Sequence, residues 1–253
     1  MSRTDELEAA VNAASWRLVG AVHTDRGPVR RENQDAFRLI PLEGPALGLI
    51  VADGMGGQNG GREAAEAAVA AATVRLALPG HGDGLLRAAI DLANEAVAGV
   101  RRSLGGNPGT TMVAAVMSGG DLTVANTGDS RAYLVRAGGA LQLTADHSMV
   151  AEQVRAGRLD AEAARSDPRR NYITRALLGD PVEPDLTHTS LEPGDVVLLC
   201  TDGLWGSLED AEIGRLLSAG LAPAEAVRRI VAAALAAGST DNVTALVARV
   251  DPA

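Results

Sequence analysis

Apolar positions along this chain follow two rhythms. Short aliphatic or β-branched runs bounded by Gly, Asp and Pro recur at Trp16–His23, Ala36–Ile40, Leu47–Ala52, Thr111–Met117, Asp121–Ala125, Arg131–Val135, Thr187–Ser190, Val196–Cys200 and Val243–Val250, and these predict strands. Alanine-rich stretches with apolar residues at helical spacing lie between groups of strands, at Arg62–Leu78, Gly84–Leu104, Glu209–Ala219 and Pro223–Ala237, and predict helices. Several strands follow one another with only Gly119-Gly120 or Gly138-Gly139 between them, so the sheets should be largely antiparallel, with helix pairs laid over them. At the start, Thr4 to Ala14 has helix-forming composition, with Thr4 or Asp5 placed to cap and Leu7 and Val11 on one face. Asp146 to Gly179 breaks both rhythms with polar helical pieces, the pair Arg169-Arg170 and an Asp167-Pro168 stop, which predicts an inserted flap. The expected organisation is a lead-in helix over residues 1–15 and one domain over 16–253 with a flap at about 146–180, without internal repeat or dividing linker.

Composition narrows the chemistry. Of the 253 residues, 46% are hydrophobic and 22% charged, enough for a real core. The net charge of −9 opposes binding to nucleic acid or to an anionic membrane. All 23 basic residues are arginine, which removes the lysine of a Walker-type phosphate loop and the amine of Schiff-base catalysis. Cys200 is the only cysteine, so an intramolecular disulfide, CxxC redox chemistry and a Cys-rich zinc cluster are excluded and a reducing compartment is expected. Met1 to Glu8 does not read as a signal peptide, and the most apolar helical stretch, Leu221 to Ala237, is too short to span a bilayer and is broken by Arg228 and Arg229. A cytoplasmic location is the expectation.

Three aliphatic runs end alike, in Asp53-Gly54, Gly128-Asp129 and Asp202-Gly203, each carrying a carboxylate out of a strand. Asp241 precedes the last strand and Asp35 the run Ala36–Ile40. Singly, an Asp-Gly pair is an ordinary turn, because glycine takes positive φ and aspartate bonds its own backbone. Together, aspartates at the ends of separate strands can meet at one rim of a sheet, where unneutralised carboxylates repel and hard divalent cations would relieve the repulsion. An all-oxygen set suits Mg²⁺ or Mn²⁺ rather than zinc. His23, His81, His147 and His188 form no HExxH pair and read as structural or exposed.

Six segments in this order, Arg30-Arg-Glu-Asn-Gln-Asp35-Ala36, Val51-Ala-Asp53-Gly54-Met-Gly-Gly57, Gly109-Thr-Thr111, Gly128-Asp129-Ser-Arg131, Thr201-Asp202-Gly203 and Thr240-Asp241-Asn242-Val243-Thr244, span nearly the whole chain. In them the chain resembles the PP2C-like (PPM) family of metal-dependent serine/threonine protein phosphatases, in its compact bacterial form. The resemblance implies an α+β fold, a four-layer α-β-β-α sandwich of two mainly antiparallel sheets flanked by helix pairs, with a flap. It implies that Asp53 bridges two Mn²⁺ or Mg²⁺ ions, with the Gly54 carbonyl as a further ligand, Asp202 and Asp241 on the first ion and Asp35 on the second. Asp129 matches the residue that, with Asp202, holds a third ion near the flap, to which Ser166 would lend its backbone. Arg30 matches the phosphate-binding arginine, and the planar guanidinium suits that role, with Arg31 as the rival.

These roles imply hydrolysis of phosphoserine and phosphothreonine by a hydroxide held between two ions, with Arg30 and the ions stabilising the phosphoryl oxygens and no covalent phosphoenzyme. Phosphorylated proteins are the implied substrates, a Ser/Thr kinase the implied opponent and a monomer the expected state. The chain departs from its relatives at the general acid: where eukaryotic members have His after Asp-Gly it has Met55, and where many bacterial members have His four residues beyond that Gly it has Gln58. His147, in an Asp-His-Ser turn, reads as structural. A catalytically silent signalling domain that binds a partner is the alternative, and would be expected to lack a metal carboxylate. A nucleotide loop at Gly54–Gly61 lacks both the GxGxxG spacing and a lysine.

Overall fold

The computed structural model describes residues 7–12, 16–56 and 60–252. Its strands split their alternate side chains between two faces, as a period of two requires. One sheet is built from β1 (Leu7–Asn12), β2 (Trp16–Asp25), β12 (Val243–Pro252), β11 (Val196–Cys200), β8 (Arg131–Arg136) and β9 (Gly139–Gln142), neighbours in that order. The other holds β10 (Asp185–Ser190), β7 (Asp121–Thr127), β6 (Met112–Ser118), β4 (Ala46–Met55) and β3 (Asp35–Pro41), again in spatial order. A short β5 (Gly109–Thr110) joins the end of β4, and every strand pairing is antiparallel.

In β4, Leu49 and Val51 face the other sheet while Ile50 and Ala52 face helices, so this central strand is apolar on both sides. The same split on neighbouring strands makes three stacked cores. Leu18, Leu47, Val113, Leu134, Leu199 and Leu246 fill the space between the sheets. Against the second sheet lie α1 (Gly61–Leu76) and α2 (Gly82–Leu104), through Ala65, Ala68, Ala72, Leu86 and Ile90. Against the first lie α6 (Asp210–Leu217) and α7 (Pro223–Ala236), through Ile213, Leu217, Val227 and Ile230. The alanines of α1 let its backbone approach the sheet closely, while burying Leu86 or Ile90 contributes about 1.5–3 kcal/mol each. This is the four-layer sandwich that the resemblance implied, with the antiparallel sheets and covering helix pairs that the sequence pattern predicted.

The structure corrects the lead-in helix. Its described part, Leu7–Asn12, is strand β1, paired residue for residue with β2 from Leu7 opposite Val22 to Asn12 opposite Arg17. A short helix is marginal in water, whereas a strand placed on an open sheet edge completes a ladder and packs Ala9 and Val11 against the inter-sheet core. The remainder of that expected helix lies outside the described residues. A second correction concerns the turn read at Gly138-Gly139. It is formed by Ala137 and Gly138, both at positive φ, and Gly139 already belongs to β9, paired with Arg136. Between β9 and β10 the chain carries two short helices, α3 (Met149–Arg155) and α4 (Ala161–Ser166), where polar helical pieces were expected. Bridges between Ser148 and Ile173 and between Thr110 and Leu177 tie this segment back to the sandwich. Among the described residues no helix is long and apolar enough to cross a membrane.

Candidate metal centre

The alternation that builds the inter-sheet core continues past the end of that core. On the second sheet the inward positions run from Phe37 to Asp35 on β3, and from Leu49 through Val51 to Asp53 on β4. On the first sheet they run from Val22 to Thr24, from Leu246 to Thr244, and from Leu199 to Thr201 just beyond β11. At this rim, aspartate thus replaces aliphatic side chains on one sheet and threonine replaces them on the other. Asp35 and Asp53 stand directly opposite each other in the β3–β4 ladder, so both project from the same face.

Each carboxylate is held by its backbone or its neighbours. Asp35 Oδ2 accepts hydrogen bonds from Thr244 Oγ1 at 2.6 Å and Thr201 Oγ1 at 2.9 Å, and Thr24 Oγ1 lies 2.7 Å from that of Thr244. The Asp53 backbone is pinned by Thr110 and Thr111: its N–H donates to Thr111 Oγ1 at 3.0 Å, and its carbonyl accepts from Thr111 N and Thr110 Oγ1 at 2.9 and 2.8 Å. Asp202 opens the one-turn helix α5 (Asp202–Trp205), which sits tight on the start of β12, since a Cβ on Gly203 would run into the Asn242 carbonyl. Asp129 follows Gly128 at φ +118, and its carbonyl accepts from Trp205 Nε1 at 3.0 Å. Asp241 Oδ2 receives Arg30 Nη2 at 2.6 Å, and its Oδ1 caps the Asn242 N–H at 2.8 Å.

Arg30, Asp53, Gly54, Asp129, Asp202 and Asp241 line one cavity of about 650 Å³, closed on the side of the α3–α4 segment by Met149 and Tyr172. Five of the six expected aspartate and arginine positions, with Gly54, therefore meet, and Asp35 is ranged beside them through Asp53. Arg30 lines the cavity and Arg31 does not. Ser166 is the last residue of α4. Met55 is in the cavity wall, while Gln58 lies outside the described residues. His147 is structural, as expected: it is buried, its Nδ1 accepts from Gly128 N–H at 3.0 Å, and the proton this leaves on Nε2 is directed at Asp185 at 3.1 Å. Burial holds its imidazole below the usual range.

Crowding of carboxylates sets the electrostatics. Burial raises Asp35 to about 7, opposed by the two threonine hydroxyls and assisted by Asp202 and Asp241. Burial, then Asp241, raises Asp202 to about 6, with Arg30 and Arg170 pulling the other way. Asp53 and Asp129 are raised as well, by burial first and then by Asp202. Asp35 Oδ1 is buried without a hydrogen-bond partner. An acceptor left in this state costs about 1–3 kcal/mol, more when charged, and a cation would satisfy it. Among the described residues no three acidic, His or Cys side chains close on a single point. The anionic donors on the cavity are all oxygen, which suits the hard ions Mg²⁺ or Mn²⁺ rather than a His- and Cys-lined zinc cage. The residues present thus suit a divalent-cation site. A second cavity of about 810 Å³, under α3 and α4, is less suited, because its buried charges Arg131 and Asp146 already form a two-pronged pair at 2.9 and 2.7 Å.

The supporting hydroxyls and amide were quoted in the sequence motifs without a role. Thr201, Thr244 and Asn242 lie beside expected ligands, but which group each serves depends on contacts across more than 160 positions, such as Thr201 to Asp35. Thr244→Val should lower the stability of the metal-free protein by roughly 1–3 kcal/mol, since Asp35 loses its shortest hydrogen bond. Thermal melting in chelator measures this, and an unchanged Tm would remove the threonine cage from the account.

A profile of the Protein phosphatase 2C family matches residues 19–246. The chain is 40% identical over 236 residues to a protein of Mycobacterium tuberculosis named serine/threonine protein phosphatase PstP, covering 91% of this chain but 44% of that protein. The chain thus spans less than half the length of this relative. It is 35% identical over 233 residues to the Listeria innocua serine/threonine phosphatase stp, covering 88% of this chain and 92% of that one. Its fold superposes with a TM-score of 0.82 on a crystal structure of the PstP catalytic domain in complex with two manganese ions, at 36% identity, covering 96% of this chain and all of that one. With the aspartate rim, the sandwich and these matches in agreement, the chain belongs to the protein phosphatase 2C family.

Proposed function

We propose that this chain removes phosphate from phosphoserine and phosphothreonine in proteins, at a pair of Mn²⁺ or Mg²⁺ ions held by Asp53, the Gly54 carbonyl, Asp202, Asp241 and Asp35. The observation that carries this reading is the convergence of four carboxylates from separate segments, with Arg30, on one cavity at the sandwich rim, with Asp35 directly opposite Asp53 in the ladder beside it. Bound there, the ions would offset the mutual repulsion of the aspartates, polarise the phosphoryl group and activate water for in-line attack. A third, weaker site would use Asp129 with Asp202.

The chain's own residues orient the reaction. Asp53, its backbone pinned by Thr110 and Thr111, would be the carboxylate shared by the ions, and the threonine cage leaves Asp35 Oδ1 buried without a hydrogen-bond partner. Arg30 exchanges its bond to Asp241 for the phosphate, to which it presents two parallel donors. No covalent nucleophile is offered: Cys200 is buried and its thiol pushed up by burial, and the Thr111 hydroxyl is engaged with Ser130 and the Asp53 amide. The described lining holds no histidine and Met55 has no proton to give, and water is the proposed proton donor to the leaving oxygen. The missing side-chain acid costs up to about a hundredfold or more in turnover relative to members that have one.

The substrates would be cytoplasmic phosphoproteins, opposed by a Ser/Thr kinase and met by a monomer. A catalytically silent domain has little support, because every expected metal carboxylate is present. Phosphopeptides assayed in excess Mn²⁺ test the reading. Release of phosphate from phosphoserine and phosphothreonine, well above that from phosphotyrosine, is expected. Equal rates on all three would refute the substrate class.

A further inference from the structure

Residues 26–34, which carry Arg30 between β2 and β3, contain no helix or strand, and apart from the Gln34 carbonyl, which accepts from Gly54 N–H at 3.1 Å, they are held by side chains. One side chain reaches both ends. Asn242 Nδ2 donates to the carbonyl of Arg26 at 2.8 Å and to that of Glu32 at 3.0 Å, while its Oδ1 accepts from Gln34 N–H at 2.8 Å. Both amide hydrogens and the amide oxygen are thereby used, in a buried position, on a segment more than 200 residues away in sequence. Arg30 lies between the clamped points, and a Cβ on Gly27, at φ +72, would run into the Asp241 carbonyl, so the loop is seated directly on the backbone of Asp241-Asn242.

We propose that Asn242 is a positioning residue for Arg30: its carboxamide closes the 26–34 loop in the shape that delivers the guanidinium to the substrate phosphate. The inference rests on the reading that Arg30 receives that phosphate. The amide is required because the loop presents two acceptors and one donor. Aspartate at this position would set a negative charge against two carbonyl oxygens, and serine would reach only one partner. Arg30 is half-exposed, and its bond to Asp241 is the one it gives up on taking the phosphate, so that bond does not hold the loop when phosphate is bound.

The test uses the full chain in saturating Mn²⁺, with inorganic phosphate as a competitive inhibitor of p-nitrophenyl phosphate hydrolysis. Arg30→Ala, Asn242→Ser, Asn242→Asp and the double variant Arg30→Ala/Asn242→Ser are compared, and Mn²⁺ binding is measured separately by calorimetry without substrate. Arg30→Ala and Asn242→Ser should each raise the inhibition constant of phosphate roughly tenfold or more, the loss of a charged hydrogen bond. The double variant should be no worse than Arg30→Ala alone, and Mn²⁺ affinity should stay within about twofold of wild type. If the two effects multiply, if Asn242→Ser binds phosphate normally, or if it weakens Mn²⁺ as much as phosphate, the positioning role is overturned and Asn242 serves Asp241 or the fold instead. Should Asn242→Asp fail to fold, the serine variant still decides. An Arg30→Ala protein with unchanged phosphate inhibition marks a different failure, that of the phosphate role assigned to Arg30.

Discussion

Asp53→Asn should abolish phosphate release, by at least about a thousandfold, while raising the melting temperature of the metal-free protein. The two halves of this result come from one property. Asp53 faces the cavity at the end of β4, where burial and then Asp202, Asp35, Asp129 and Asp241 all disfavour its charge. In the absence of cations that charge is a liability to the fold, and a neutral amide of the same shape removes it. Each kcal/mol so recovered is worth about 2–4 °C in a chain of this size. With cations present the same charge is the one the proposed site most needs, because Asp53 is the residue proposed to serve both ions. The backbone bonds to Thr110 and Thr111 do not involve its side chain and should survive the substitution. Calorimetric melting in chelator, paired with turnover in Mn²⁺, reads both halves. A variant that is inactive because it has unfolded would make Asp53 structural, and one with near-normal turnover would remove it from the centre.

Chelation should abolish the proposed phosphate release, and the pH dependence of the chelated protein should show why. Asp35 at about 7 and Asp202 at about 6 lie above the value near 4 of an unfolded aspartate. From about pH 4 to 7 the folded state therefore keeps protons that the unfolded chain has released. Stability is then highest on the acid side of that window and falls as pH rises through it, by about 1.4 kcal/mol per pH unit for each proton so retained. Mn²⁺ added at pH 7.5 should restore the lost stability, by about 2.7 kcal/mol at a hundredfold excess over its Kd, and should release protons as it binds. Melting curves across this range with and without Mn²⁺ measure the effect. Activity that persists in excess chelator, or a metal-free protein equally stable at pH 5 and pH 7.5, would reject the site.

Some of this architecture was legible from local pattern because local pattern is what produces it. The runs at Leu47–Ala52 and Val196–Cys200 are central strands because nothing but a two-sided core can bury them, and the helix over residues 61–76 follows from its alanine spacing. Elements whose state is chosen by a neighbour were not legible. Leu7–Asn12 has a helical composition, yet the open edge of β2 recruits it as a strand. The one-turn helix at Asp202–Trp205 is too short to leave a periodic signal. At β8–β9, Ala137 rather than Gly139 takes the positive φ, because the strand register puts the turn one residue earlier than glycine preference alone indicates.

By itself the sequence determined the kind of chemistry. Aspartates on strand ends, a lone cysteine and no lysine favour oxygen-ligated cations over a zinc cluster or lysine chemistry, since residue type sets hardness and charge wherever the side chain ends up, and the motif resemblance added an arginine for the anion. Only the tertiary structure decided which groups act together. That Asp35 faces Asp53, that threonines from the opposite sheet grip Asp35, and that Asn242 clasps the Arg30 loop are facts of ladder register and sheet packing. They join positions up to more than 200 residues apart, and such partners are chosen by the whole assembly of strands rather than by any stretch of the chain.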